Sequence, residues 1–245
     1  MLFINKQIGE TPLQTLDRLR KEKSEYAGAV LSYIGRLDPM AEGVLLILVG
    51  EENKEREKYL DLDKKYEFEI LFGFETDTYD LLGIATLGGS KPLFNFDFLF
   101  GLEGKQNQKY PPFSSKPVNG KPLWQWARQS RLGEIVIPSH EIEIYSLDFL
   151  EQREISKEEL LKTIEENILK VTGDFRQTEI INSWKKAVGE SGEANFALAK
   201  FAVHCSTGTY VRQLAQEIGK QLGQKATVFS LKRTEIVLDS RKKEV

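Results

Sequence analysis

The sequence predicts an α+β fold, on three observations. Strand-like and helix-like patterns mix along the 245 residues without a steady βαβ rhythm. Lys64 to Phe74 alternates Tyr66, Phe68, Ile70 and Phe72 against Glu67 and Glu69, the period-2 mark of a half-buried strand. Thr11-Pro12 followed by Leu13, Leu16 and Leu19 reads as an N-capped amphipathic helix with proline at its first position.

The other elements follow in order. Val44 to Val49 is a strand-sized apolar run, and Glu141 to Leu150 is a further strand carrying Ile142, Ile144 and Phe149. Ser156 with Glu159 makes a capping-box pattern, opening a helix with Leu160, Leu161, Ile164 and Ile168 on it. Asn195 to Ser206 is a long strand with Phe201, Val203 and Cys205 on one face. Ser206-Thr207-Gly208-Thr209 turns into a helix with Val211, Leu214, Ile218 and Leu222, and Gly223 is placed to end it. A last strand covers 226–238. Gly88-Gly89-Ser90-Lys91-Pro92 and Pro111-Pro112 mark loops, and 241–245 reads as a loose tail. With no internal repeat, residues 1–240 are expected to form one domain.

Composition narrows the class. Hydrophobic residues make up 40% and charged residues 29%, ordinary values for a globular protein. No run approaches the roughly 18 apolar residues of a membrane span, and no charged leader precedes an apolar stretch. One cysteine and two histidines exclude an internal disulfide and a Cys/His zinc site, as expected for a cytoplasmic protein without a metal. The net charge of -3 argues mildly against nucleic acid, but its distribution does not. Lys105, Lys109, Lys116, Lys121, Arg128 and Arg131 lie in 104–133 without an acid, and 196–234 holds Lys200, Arg212, Lys220, Lys225, Lys232 and Arg233 against Glu217 alone. This pattern fits either a basic face or merely solvated surface.

The first stretch that bears on chemistry is Gly35-Arg36-Leu37-Asp38-Pro39-Met40-Ala41-Glu42-Gly43-Val44-Leu45. On local grounds Asp38 is a turn aspartate before proline. The longer pattern, followed by Leu48-Val49-Gly50 and Asn53-Lys54, resembles the catalytic motif of TruB-type pseudouridine synthases, with Asp38 on the family's catalytic aspartate. Three further blocks are similar and occur in the family's order. They are Lys65-Tyr66 with Phe72-Gly73 and Thr76-Asp77-Thr78-Tyr79-Asp80 to Gly83; Pro111-Pro112-Phe113-Ser114-Ser115-Lys116 to Arg128; and Cys205-Ser206-Thr207-Gly208-Thr209-Tyr210-Val211-Arg212, closed by Leu231-Lys232-Arg233-Thr234. The resemblance spans Asn5 to about Thr234.

That resemblance implies the pseudouridine synthase fold, a central mixed and mainly antiparallel sheet flanked by helices and loops. It implies isomerisation of uridine to pseudouridine in RNA, at uridine-55 in the T-arm stem-loop of tRNA, by a monomer without a cofactor. The N-glycosidic bond breaks and a C–C bond to the same sugar forms, so no redox group, ATP or metal is consumed. Asp38 would serve as nucleophile or base, held ionised and oriented by Arg212. Tyr66 would stack on the base, although its place on a strand also suits core packing. Leu231 would line the base pocket, or be ordinary core. Tyr33, Tyr210 and Asp77 would contact extruded nucleotides, with a capping role equally open to Asp77. Lys116, Lys232 and Arg233 would grip phosphates, and an insertion over about 85–138 would contact RNA.

The sequence departs from the family at several points. Tyr33-Ile34-Gly35 stands where the family has His-Thr-Gly, and Asn5-Lys6-Gln7-Ile8-Gly9 where it has Asp-Lys-Pro-x-Gly. Pro117 replaces a lysine, with Lys116 adjacent. Arg36 is more like the RluA and RsuA families. The C-terminal PUA domain of many relatives is expected to be missing. Competing readings are a synthase for another RNA such as rRNA, and a non-catalytic RNA-binding or RNA-folding module. A hydrolase is poorly supported, because His140 has no nucleophile-elbow motif near it.

Overall fold

The strands pair in an order that differs from their order in the chain, and this brings the ends of distant segments together. A computed structural model describes residues 1–88 and 95–238. In chain order the elements are β1 (Leu2–Lys6), α1 (Pro12–Glu22), β2 (Leu31–Ile34), β3 (Ala41–Val49), β4 (Asp63–Phe72), β5 (Phe74–Thr76), β6 (Ala85–Leu87), β7 (Gly104–Lys109), β8 (Pro117–Val118), β9 (Lys121–Pro122), α2 (Leu123–Arg128), β10 (Ser139–Ser156), α3 (Lys157–Leu169), α4 (Gln177–Glu190), β11 (Asn195–Cys205), α5 (Val211–Gln221) and β12 (Ala226–Val237). The main sheet runs β1-β3-β12-β4-β11-β10-β7, with β2 also on β3. Its pairs are antiparallel except β3 with β12, which run parallel from Leu231 opposite Ala41 to Arg233 opposite Gly43. This is the mixed, mainly antiparallel α+β arrangement expected.

The parallel contact depends on Gly43. Its φ is +104°, and a Cβ there would sit 2.2 Å from the Arg233 carbonyl oxygen. Only glycine combines that backbone with so close an approach.

Each face of the sheet has its own core. On one, Val211, Leu214, Ala215 and Ile218 of α5 cover Phe68, Ile70, Phe201 and Val203. On the other, α3 and α4 cover Leu71, Phe196 and Leu198. Strand alternation explains the division, since neighbouring residues point to opposite faces. Trp184 of α4 is fully buried and donates its indole N–H to the Leu81 carbonyl at 3.1 Å.

The expected helices form, with differences that have local causes. Thr11 and Gln14 complete a reciprocal capping box on α1. Leu16 and Leu19 are buried as expected, but Leu13 points outward and Pro12 takes its place on the buried face. Ser156 caps α3 by accepting from the Glu159 N–H at 3.2 Å. No start signal in the sequence announces α4. It begins at Arg176, a residue in the left-handed region (φ 62°) that supplies no side-chain cap.

The segment expected as an insertion over 85–138 is two things. Residues 96–109 belong to the main core: Leu99 is buried there, and β7 forms the sheet edge on β10. Residues 110–128 leave the sheet and form a hairpin and α2, fastened by Trp126 Nε1 donating to the Val118 carbonyl at 3.0 Å. The loop expected at 88–92 lies outside the described residues from 89 onward, as does the tail at 241–245. No described helix is long and apolar enough to cross a membrane.

Candidate active site

Asp38 sits in the turn from β2 to β3, and the turn is tied down from three sides. The Gly35 carbonyl accepts from Arg233 Nη2 at 3.0 Å, and Gly35 itself has φ +68°. The Pro39 carbonyl accepts from the Gly9 N–H at 2.8 Å and faces Lys6 Nζ at 3.4 Å. The Ala41 N–H donates to the Asp38 carbonyl at 3.0 Å. Burial pulls the Lys6 ammonium down to about 8, against the opposing pull of Glu10 and Asp38.

Arg212 arrives from the first turn of α5. Gln108 fixes Tyr210, the residue before α5, by accepting from its N–H at 2.8 Å and donating to its carbonyl at 3.1 Å. The buried guanidinium of Arg212 donates to the Thr78 carbonyl at 2.6 Å and to the Phe113 carbonyl at 3.2 Å. Its Nε lies 2.8 Å from Asp38 Oδ2 and 3.8 Å from Asp80 Oδ2. The Nε–H is aligned with neither oxygen, so these are ion pairs rather than directed hydrogen bonds. Burial alone would lower the pKa of Arg212, but Asp38 and Asp80 outweigh it and raise it. Asp80 is buried, and burial lifts its carboxyl to about 6 against the attraction of Arg212. Its Oδ1 accepts from Thr78 Oγ1 at 2.7 Å and from the Leu82 N–H at 3.0 Å.

Above this pair opens a cleft of about 670 Å³. Seven of the residues expected from the sequence line it together: Asp38, Arg212, Tyr66, Tyr33, Tyr210, Leu231 and Arg233. Tyr66 is only 8% exposed, and burial raises its phenol while Arg233 pulls the other way. Residues 113–115, Trp124 and Arg128 form one wall.

Four expected residues are placed differently. Arg233 touches the cleft from inside the core: it is 1% exposed and donates to the Val44 carbonyl at 2.6 Å and to the Gly35 carbonyl. It braces backbone and is not a phosphate grip. Lys232 is exposed, but it alternates with Leu231 and Arg233 and so points to the opposite face, level with Glu67 and Glu42. Asp77 does not line the cleft; its carboxylate accepts from the Ile84 N–H and pairs with Arg176, each at 2.8 Å. Lys116 stands beside the wall with Nζ 5.1 Å from the centre of the Tyr110 ring.

The second basic stretch is not a basic face either. Lys200, Lys220 and Lys225 meet Glu67, Glu217 and Glu75, while Arg212 and Arg233 are buried. Charges summed along the chain do not show this, because the acids that cancel them lie mostly on other strands. Two residues of the cleft, Asp80 and Lys64, carry no expectation from the sequence. The signal for Asp80 is a second acid ending the Thr76–Asp80 stretch. Lys64 is buried on β4, donates to Thr207 Oγ1 at 3.0 Å and is held down to about 8 by burial and by Arg233. Among the described residues, no three His, Cys, Asp or Glu side chains are grouped to hold a metal ion.

Residues 23–168 match the family model described as TruB family pseudouridylate synthase, N-terminal domain. The chain belongs to the TruB family. It is a pseudouridine synthase. Relatives in the family include the tRNA pseudouridine synthase B of Caldanaerobacter subterraneus subsp. tengcongensis, 30% identical over 96% of this chain and 68% of that one. The protein of the same name from Aquifex aeolicus is 28% identical over 96% of this chain and 67% of its own, and that of Bacillus subtilis 33% over 96% and 64%. Among solved structures, a chain of the Cbf5-Nop10-Gar1 complex superposes with a TM-score of 0.53 at 17% identity, covering 96% of this chain. A chain of an H/ACA RNP bound to a substrate RNA containing 2'-deoxyuridine gives 0.52 at 16% identity over 96% of this chain. The protein spans about half the length of those two chains, 48% and 47%, and shares their fold.

Proposed function

We propose that this TruB-family chain converts a uridine of tRNA, uridine-55 in the T-arm loop, to pseudouridine, with Asp38 as the catalytic carboxylate. The observation that carries this reading is the carboxylate of Asp38 at the floor of an open cleft, 2.8 Å from a buried arginine. The names of the relatives support tRNA as substrate.

The reaction is an isomerisation. The N1–C1′ bond breaks, the uracil turns, the C5–C1′ bond forms, and the proton lost from C5 is matched by one gained at N1. Nothing else is consumed. Arg212 keeps Asp38 charged and aimed while the reacting sugar approaches. Tyr66 and Leu231 offer apolar contact to the extruded base, offsetting its lost stacking. Tyr33 and Tyr210 supply aromatic surface at the sides, and the 110–128 wall with Lys116 meets the RNA backbone. The proposed form is a cytoplasmic monomer, with every group named carried by one chain.

Incubating unmodified tRNA transcript with wild type and with Asp38→Asn, then mapping pseudouridine chemically, tests the proposal. Product at position 55 is expected from wild type, with a rate lower by at least about 10³-fold in the variant. Equal product from both would remove Asp38 from the mechanism, and product only on rRNA fragments would replace the substrate. A gel-filtration mass above that of one chain would overturn the monomer.

A further inference from the structure

We infer that Arg36 is a phosphate-binding residue of the cleft mouth, exchanging Ser115 for a phosphodiester of the RNA next to the target nucleotide. The inference rests on the proposed function and adds a residue to it.

The cations of the cleft differ in what they face. Arg128 pairs with Asp174 at 2.5 Å, Arg176 with Asp77 at 2.8 Å and Arg212 with Asp38 at 2.8 Å. Arg233 is committed to backbone carbonyls inside the core. Arg36 lines the same cleft and is exposed, yet its side-chain bonds go to hydroxyls: Ser115 Oγ, and Tyr33 Oη at 3.4 Å. Among the described residues no carboxylate lies within ion-pair distance of it. A guanidinium satisfied by neutral hydroxyls gains by meeting an anion, and its planar fork fits two phosphate oxygens at once.

Its mounting favours that exchange. Gly35 takes a left-handed turn with its carbonyl held by Arg233, so the backbone beneath Arg36 is fixed while the side chain extends from it. Ser115 belongs to the 113–115 wall, so the Arg36–Ser115 bond ties that wall to the Asp38 turn, two residues from Asp38. RNA reaching Asp38 brings phosphates toward two carboxylates, Asp38 and Asp80, and an exposed guanidinium without a carboxylate partner, two residues from Asp38, offsets that repulsion.

The test measures tRNA transcript binding to the whole protein against salt, alongside single-turnover pseudouridine formation, for wild type, Arg36→Ala, Arg36→Lys and Ser115→Ala. Arg36→Ala is expected to bind about tenfold more weakly near 0.1 M salt, with the slope of log K against log salt smaller by about 1. Arg36→Lys should keep the wild-type slope, and Ser115→Ala, which removes a hydroxyl but no charge, should keep that slope as well. Should Arg36→Ala unfold, Arg36→Gln takes its place. A wild-type slope in the charge-removing variant overturns the inference. Absence of product from wild type would instead strike the proposed function, while the salt slope would still report on Arg36.

Discussion

On the floor of the cleft, the Arg212 side chain is 4% exposed and holds two carbonyls and two carboxylates; in the wall, Arg128 and Asp174 pair with side chains 38% and 78% exposed. Both are arginine–aspartate contacts of similar length, but they do different work. Buried charges have no water to fall back on, so losing one partner leaves the other stranded. An exposed pair exchanges for water at little cost. The floor is thus held in one geometry, as the proposed role of Asp38 requires, while the wall is free to give way to the proposed RNA substrate.

Four experiments would break or sharpen this contrast, in decreasing order of effect. Arg212→Ala should lower the unfolding free energy by about 3–5 kcal/mol in urea titrations at pH 7, since two carboxylates lose their counter-charge and two carbonyls lose their donor. A loss under about 1 kcal/mol would show that the floor relaxes as readily as the wall. Asp80→Asn should expose a pH dependence. The folded pKa of Asp80, raised by burial to about 6, exceeds its ordinary value of 3.8. The protonated form is thus favoured by folding, and the stability Asp80 contributes is complete below pH 3.8 and lost as pH rises through 6. Wild type should therefore fall relative to Asp80→Asn by up to about 3 kcal/mol between pH 4 and 8. A difference that stays flat across that window would mean Asp80 does not titrate there.

The Arg176–Asp77 pair lies between the extremes, with side chains 19% and 35% exposed and the guanidinium 5.0 Å from the Phe113 ring. A double-mutant cycle with Arg176→Ala and Asp77→Ala should give a coupling of about 1 kcal/mol. Arg128→Ala should cost less than about 1 kcal/mol, yet speed amide exchange across 110–128. Unchanged exchange would show that the wall owes its position to Trp126 and the hairpin instead.

Legibility in the sequence followed the same division. The caps at Thr11 and Ser156, the alternation in Lys64–Phe74 and the turn Ser206-Thr207-Gly208-Thr209 are local patterns, and each marks an element of the structure or its start. The element α4 was invisible because Arg176 starts it without a capping side chain. Of the candidate site, Asp38, Tyr66 and Arg212 lie in separate motif blocks of the sequence, and the fold brings all three to the lining of one cleft. Asp80 and Lys64 were missed because their significance is burial next to other charges, which no local pattern records.

By itself the sequence determined where the chain bends, which faces are apolar and which blocks carry the family pattern, because those depend on neighbours within a few residues. The tertiary structure alone decided the fate of the charges. The parallel contact between β3 and β12 pulls Arg233 under Gly35 and leaves Lys232 on the far side. Dielectric environment and charge pairing arise where distant segments cross, and that crossing turns an arginine into a backbone brace at one position and an open anion site at another.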